Sequence, residues 1–112
     1  RDDLIIQTTN VGANTFGILF MGRTQIAPQF FGIGMLCVGD PASLARFPAQ
    51  GGGPQGVMNE GPGLVSYTQG NLPQHAHIAA GDTWNFQLWY RDGSACAPGY
   101  NASSALRVTF TP

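Results

Sequence analysis

The stretch that decides the fold is Thr83–Arg91, which reads TWNFQLWYR and is flanked by Gly81-Asp82 and Asp92-Gly93. Successive side chains of a β-strand point to opposite faces, so every second residue shares a face. One face then carries four large apolar side chains: Trp84, Phe86, Leu88 and Tyr90. A helix would scatter these four around its circumference. The stretch therefore predicts a central strand with one buried face.

The opposite face of this strand carries a different set of side chains: Asn85, Gln87, Trp89 and Arg91. A Trp among amide and guanidinium groups is an arrangement that can stack on a sugar ring. The alternative is that a loop, a second sheet or a neighbouring subunit covers this face. We expect a contact with a ligand or with another subunit on these four residues.

Short apolar or alternating runs, separated by turn residues, recur along the rest of the chain. They lie at 4–9, 16–21, 35–38, 44–47, 64–68 and 106–110. The last run adds Val108 and Phe110 to the expected core, and no segment predicts a stable helix. The 112 residues are expected to form one domain, 1–112. Its predicted fold is an all-β, antiparallel β-sandwich of about seven short strands, Ig-like or jelly-roll-like.

Composition excludes two classes of partner. Charged residues make up only 10% of the chain, the net charge is −1, and all five basic residues are Arg. Without a basic field, a nucleic-acid partner is not expected. No apolar run approaches the length of a membrane span.

The chain begins at Arg1 without an initiator Met, which favours a processed or excised product.

The two cysteines, Cys37 and Cys96, predict a disulfide. They are too far apart in sequence for a metal knuckle. A bridge between them would close a long loop and stabilise the fold by about 4 kcal/mol through loop-closure entropy. Two buried thiols in a reducing cell are the alternative. The disulfide interpretation favours a secreted or cell-surface location.

No constellation of residues predicts catalysis. His75 and His77 are expected on one face of a strand at i, i+2, a spacing that can place two imidazoles on one metal ion. Only Asp82 is near enough in sequence to assist, so an exposed loop is favoured over a metal site. The carboxylates are scattered, and no Gly-x-Ser-x-Gly motif or phosphate loop occurs. We predict no catalytic residues, no cofactor and no metal site, and hence a protein that is not an enzyme. Asn101-Ala102-Ser103 is a formal glycosylation sequon.

The last third of the chain resembles a known group of domains. Residues 81–92 fit the pattern G-x-T-W-x-F-Q-x-W-x-R-D, and residues 101–110 fit N-x-S-x-A-x-x-x-T-F. These patterns are similar to the end of a β-rich domain found at the C-termini of large secreted bacterial proteins. The match is looser upstream, where Leu36-Cys37-Val38-Gly39 resembles the L-C-L/V-G of that family. The resemblance implies a secreted or cell-surface module and supplies no catalytic residues.

The chain departs from that family at its start. Related domains have one more segment, ending in an A-N-D-L run that Arg1-Asp2-Asp3-Leu4 matches. The resemblance therefore implies that a first strand is missing, which would leave an unpaired edge and an open groove over the core. A strand from another copy, or from a larger parent protein, is expected to fill the groove.

Two functions follow from these expectations. The first is a structural subunit of an extracellular filament or surface layer, assembled through sheet edges. The alternative is a carbohydrate-binding or adhesive module that uses Trp89, Tyr67 and Tyr90, or the aromatic pair Phe30-Phe31, to contact a glycan.

Overall fold

The computed structural model describes residues 4–9, 15–31, 34–38, 44–51, 53, 56–91, 100–103 and 105–110. In chain order the elements are β1 (Ile6–Thr8), β2 (Phe16–Gly22), β3 (Gln25–Phe31), β4 (Gly34–Val38), β5 (Ala45–Arg46), β6 (Gln50–Gly51), β7 (Met58–Glu60), α1 (Leu64–Asn71), a 3-10 turn (Gln74–Ala76), β8 (Thr83–Arg91), β9 (Tyr100–Ala102) and β10 (Leu106–Thr109). Every strand pairing in these ranges is antiparallel. The predicted all-β, sandwich-like fold is confirmed, with more and shorter strands than expected.

The central sheet is built on β2 and β8, which pair along most of their lengths. On the other edge of β8, the short strand β10 pairs with its first half and β9 pairs with its end. On the other edge of β2, β6 pairs with its start and β5 pairs near its end. Strand β8 therefore lies inside the sheet, as its sequence predicts.

The inner face of this sheet packs on a layer made by β1, β7, α1 and the 3-10 turn. β1 and β7 form a two-stranded sheet of their own. Ile6, Met58 and Leu64 from this layer, with Ile78 from the segment after the turn, join one core cluster with the inner side chains of β8. Within that cluster Trp84, Phe86 and Leu88 are at most 1% exposed, and Phe110 is 8% exposed. Tyr90 and Val108 are partly buried against it.

A hairpin of β3 and β4 lies on the outer face of the central sheet. Its register shifts between Gln25 and Gln29, around Pro28, which has no N–H to offer a partner strand. Strand β4 ends in the fully buried Val38, and the Cys37 N–H donates to Gln87 Oε1 on β8 at 3.0 Å. The central sheet is thus covered on both faces over part of its length.

Residues 64–68, predicted as a strand, instead begin helix α1. Leu64 and Thr68 are the buried pair of this helix, and four residues apart is the spacing that places two side chains on one helical face. The Thr68 hydroxyl donates to the Val65 carbonyl at 2.8 Å and accepts from the Ile78 N–H at 3.1 Å. The strand prediction was wrong because the burial of Leu64 and Thr68 on one helical face, with the hydrogen bond from the Ile78 N–H, outweighs the β-propensity of Val, Tyr and Thr.

The histidine segment after α1 is not a strand either. His75 lies within the 3-10 turn and is exposed. His77 follows the turn, and its Nε2 lies 2.9 Å from the Leu72 carbonyl oxygen. The two imidazoles therefore do not share the face of a strand, and His77 instead ties the end of the helix to the segment leading into β8.

Candidate functional site

Strand β8 is anchored at its start by Asp82. The Asp82 carboxylate accepts the Ala79 N–H at 2.9 Å, and the Trp84 indole N–H and the Arg23 guanidinium each lie 3.4 Å from the same oxygen. The Arg23 guanidinium also stacks over the Trp84 ring at 4.3 Å. The Ala79 hydrogen bond, with help from Trp84 and Arg23, holds the pKa of Asp82 below its usual range despite partial desolvation. This cluster is structural and fixes where the strand begins.

The two amides on the outer face of β8, Asn85 and Gln87, are buried at 2% exposure. Besides its bond from Cys37, Gln87 donates through Nε2 to the Ser103 carbonyl at 2.6 Å. Asn85 donates to the Gly22 carbonyl at 3.3 Å, and its Oδ1 is buried without a partner in the described part of the chain. The expectation that these two side chains form a contact surface for a ligand or subunit is therefore wrong, because the chain itself covers them.

The other two residues of the expected contact face, Trp89 and Arg91, lie where the outer face remains accessible. Trp89 is partly exposed and Arg91 is exposed. Phe16 of β2 joins them: its ring centroid is 6.2 Å from that of Trp89, and the ring planes are inclined by 59°. The Arg91 guanidinium lies 5.8 Å from the Phe16 centroid and 6.0 Å from the Trp89 centroid. We call Phe16, Trp89 and Arg91 the aromatic–arginine surface.

The other aromatic residues expected to contact a glycan are placed differently. Tyr67 and Tyr90 are partly buried and pack against the core, and the Tyr67 ring lies 5.3 Å from that of Phe47. Phe30 and Phe31 belong to β3, and their side chains lie outside the described part of the structure. Sequence reasoning missed Phe16, because only the pairing of β2 with β8 brings its ring beside Trp89.

A cleft opens on the inner side of the sheet, between β1 and the edge formed by Ser103, Ala105 and β10. Its volume is about 260 Å³. Core side chains from the central sheet form its floor: Leu19, Phe86 and Leu88. Residues 6–9 form one wall, and Leu106, which is 47% exposed, stands on the other. The cleft is thus an indentation between two strands, and the core side chains at its floor are at most 2% exposed.

Both strands that border the cleft lie at the margin of their sheets. In the described ranges β1 pairs with β7 and no other strand. In the same ranges β10 pairs with β8 alone and is an edge strand of the central sheet. Within the described ranges, each of these two strands therefore has one edge without a partner strand beside the cleft, which is an arrangement that an added strand can use.

The remaining expected site residues do not form a second site. Cys37 lies on β4, while Cys96 lies outside the described residues; no disulfide occurs in the described part, so the bridge remains a prediction. No three His, Cys, Asp or Glu residues come together within those same ranges. Burial raises the pKa of Glu60, which accepts from Gln50 Nε2 at 3.0 Å. None of the described helices has the length and apolarity to cross a bilayer.

Comparison of the chain with protein-family models, with curated proteins and with solved structures finds no match. The resemblance of residues 81–92 and 101–110 to the C-terminal domains of secreted proteins therefore remains a prediction.

Proposed function

We propose that this chain is a secreted or cell-surface structural module, not an enzyme, that assembles by strand addition at the cleft between β1 and β10. The strand would come from another copy of the chain or from a longer protein that contains it. The observation that carries the proposal is the cleft itself, with its apolar floor and its two strand edges.

The dimensions and chemistry of the cleft favour a strand over a small ligand. Its volume of about 260 Å³ lies below the roughly 300–1,000 Å³ of drug-sized pockets. It suits one or two apolar side chains inserted from an extended segment, whose backbone would pair with an exposed edge. Leu106, which is 47% exposed, would gain cover, and each 100 Å² of apolar surface removed from water contributes about 2.5 kcal/mol.

An edge with backbone groups available for pairing also explains why assembly would be favourable. Such an edge is a template for another strand, and proteins that remain monomeric protect it with charge, proline or a bulge. Strand β10 contains one charged residue, Arg107, which lies on the outer face. The side chains of Leu106 and Val108 on the inner face are apolar. Strand β10 therefore places no charged side chain on the face where the cleft opens, and charge repulsion from this strand would not oppose assembly there.

The test is self-association measured by sedimentation velocity and electron microscopy over a range of protein concentrations. The wild type should form oligomers or filaments, and Leu106→Lys should abolish them because a charge then stands on the wall of the cleft. Phe16→Lys is the matched control: Phe16 is 45% exposed, close to the 47% of Leu106, but lies on the opposite face. A wild type that stays monomeric at high concentration would contradict assembly through another copy of the chain, as would equal losses in both variants.

A further inference from the structure

The aromatic–arginine surface lies on the opposite side of the central sheet from the cleft. In the register of β2 and β8, Ile18 pairs with Trp89, and Leu19 pairs with Leu88. Leu19 and Leu88 form the floor of the cleft, so Trp89 points away from it. A function at this surface would be independent of strand addition.

The surface is held in place by the backbone beneath it. The Thr15 hydroxyl donates to the Arg91 carbonyl at 2.7 Å, which joins the start of β2 to the end of β8. Gly17 allows the strands to come close, since a Cβ there would lie 2.5 Å from the Trp89 carbonyl oxygen. Rings fixed by strand pairing lose little freedom when a ligand binds.

The outer face carries positive charge beyond Arg91. Arg46 faces Phe20 and Arg107 faces Asn85 in the strand register, so both side chains lie on the outer face, and both are exposed. The carboxylates in the described residues lie elsewhere: Glu60 on β7 and Asp82 against Arg23. The described part of this face therefore attracts an anionic ligand.

We propose that the aromatic–arginine surface binds a polysaccharide that carries carboxylates, with a sugar ring against the aromatic side chains and a uronate group on Arg91. Aromatic faces pack on the C–H groups of a pyranose, and a guanidinium binds a carboxylate through paired hydrogen bonds. Because the two ring planes are inclined by 59°, they cannot both lie flat on a crystalline polymer. A single soluble chain can contact both inclined rings, so the proposed ligand is a polymer of that form.

The test uses polygalacturonate as the probe and its carboxyl-reduced form, which keeps the rings but loses the charge. In affinity electrophoresis, polygalacturonate should retard the wild type. Arg91→Gln should weaken this binding about tenfold, because the charge-assisted hydrogen bonds are lost. Phe16→Ala should weaken binding to both polymers, since the ring contact is common to them. Phe16 is exposed, so this variant is expected to remain folded.

Arg107→Gln is the matched control, because it removes another exposed charge from the same face at the other end of β8. It should reduce binding much less than Arg91→Gln does. Equal losses in the two variants would show only general attraction to charge and overturn the proposal. No retardation of the wild type by polygalacturonate, or retardation unaffected by Phe16→Ala, would overturn it as well. Leu106→Lys, which blocks the cleft, should bind the polysaccharide as the wild type does.

Discussion

The two faces of β8 differ in how their burial is achieved. On the inner face, Trp84, Phe86 and Leu88 are buried by apolar packing with one continuous core. On the outer face, Asn85 and Gln87 are buried just as deeply, but through polar contacts with neighbouring backbone. Further along the same outer face, the side chains of Trp89 and Arg91 reach solvent. Alternation in a sequence thus separates two faces, but it does not say what covers each of them.

The largest expected difference between the faces is in the cost of removing a ring. Phe86→Ala, on the inner face, should lower the free energy of unfolding by about 3–5 kcal/mol, because it leaves a cavity in the core. Phe16→Ala, on the outer face, should cost less than about 1 kcal/mol, since its ring is already 45% exposed. Urea denaturation measures both. Equal costs would mean that the outer aromatic surface is part of a core.

Next in size is the loss of the buried amide of Gln87. Gln87→Leu leaves the Cys37 N–H and the Ser103 carbonyl without the partner seen here, so we expect a loss of about 2–3 kcal/mol. Asn85→Leu is the control, because it also replaces a buried amide on this face. Asn85 makes one longer hydrogen bond, and its Oδ1 has no partner within the described residues. It should cost about 1 kcal/mol or less. A larger loss of stability for Asn85→Leu than for Gln87→Leu would contradict the assignment of Gln87 as the main polar contact on this face.

A smaller effect is expected where the backbones of β2 and β8 approach each other. Gly17→Ala would place a Cβ 2.5 Å from the Trp89 carbonyl oxygen and 3.0 Å from Met58 Sδ. Relieving that overlap should cost about 1–3 kcal/mol. Gly51→Ala is the control, since a Cβ there meets nothing closer than 3.9 Å. If the two substitutions lowered the thermal midpoint equally, the close strand pairing beneath the aromatic–arginine surface would be refuted.

The smallest effects come from two carboxylates whose pKa values are shifted in opposite directions. The pKa of Asp82 is lowered, so its stabilisation is present above its unfolded-state pKa of about 4 and is lost as pH falls through the lower folded value. The pKa of Glu60 is raised by burial, so the stabilisation it gives is present below about pH 4 and is lost as pH rises through the higher folded value.

Urea midpoints measured at acid and neutral pH separate the two carboxylates. At neutral pH, Asp82→Asn should destabilise the fold, while Glu60→Gln should leave it unchanged or slightly more stable. The difference between each variant and the wild type should shrink for both at low pH. Shifts of the same sign at neutral pH would contradict the assignment of the two environments.

Much of the central sheet could be predicted from sequence, and the reasons are local. The alternation along β8 identifies Trp84, Phe86 and Leu88 as one face because large apolar side chains at every second position have no other common side. The helix at Leu64–Asn71 could not be predicted, since it depends on the packing of Leu64 in the core cluster and on the Ile78–Thr68 hydrogen bond, which lie outside the local pattern. For the same reason the burial of Gln87 was missed, because its partners Cys37 and Ser103 come from separate strands and loops.

The candidate sites were predictable only in part. Trp89 and Arg91 follow from the alternation of a single strand, whereas Phe16 joins them through a register that no local pattern encodes. The groove that the resemblance implies, left by a missing first strand, stays a prediction. The position of the observed cleft between β1 and β10 depends on how separate sheets pack, which only the folded chain reveals.

Hydrogen exchange measured at increasing protein concentration tests strand addition most directly. If a strand pairs at the cleft, amides in Ile6–Thr8 and Leu106–Thr109 should exchange more slowly as the protein associates, because new inter-strand hydrogen bonds protect them. Amides of β2, which lie inside the sheet, should not change. Association that leaves the exchange of β1 and β10 unaltered would contradict assembly through this cleft.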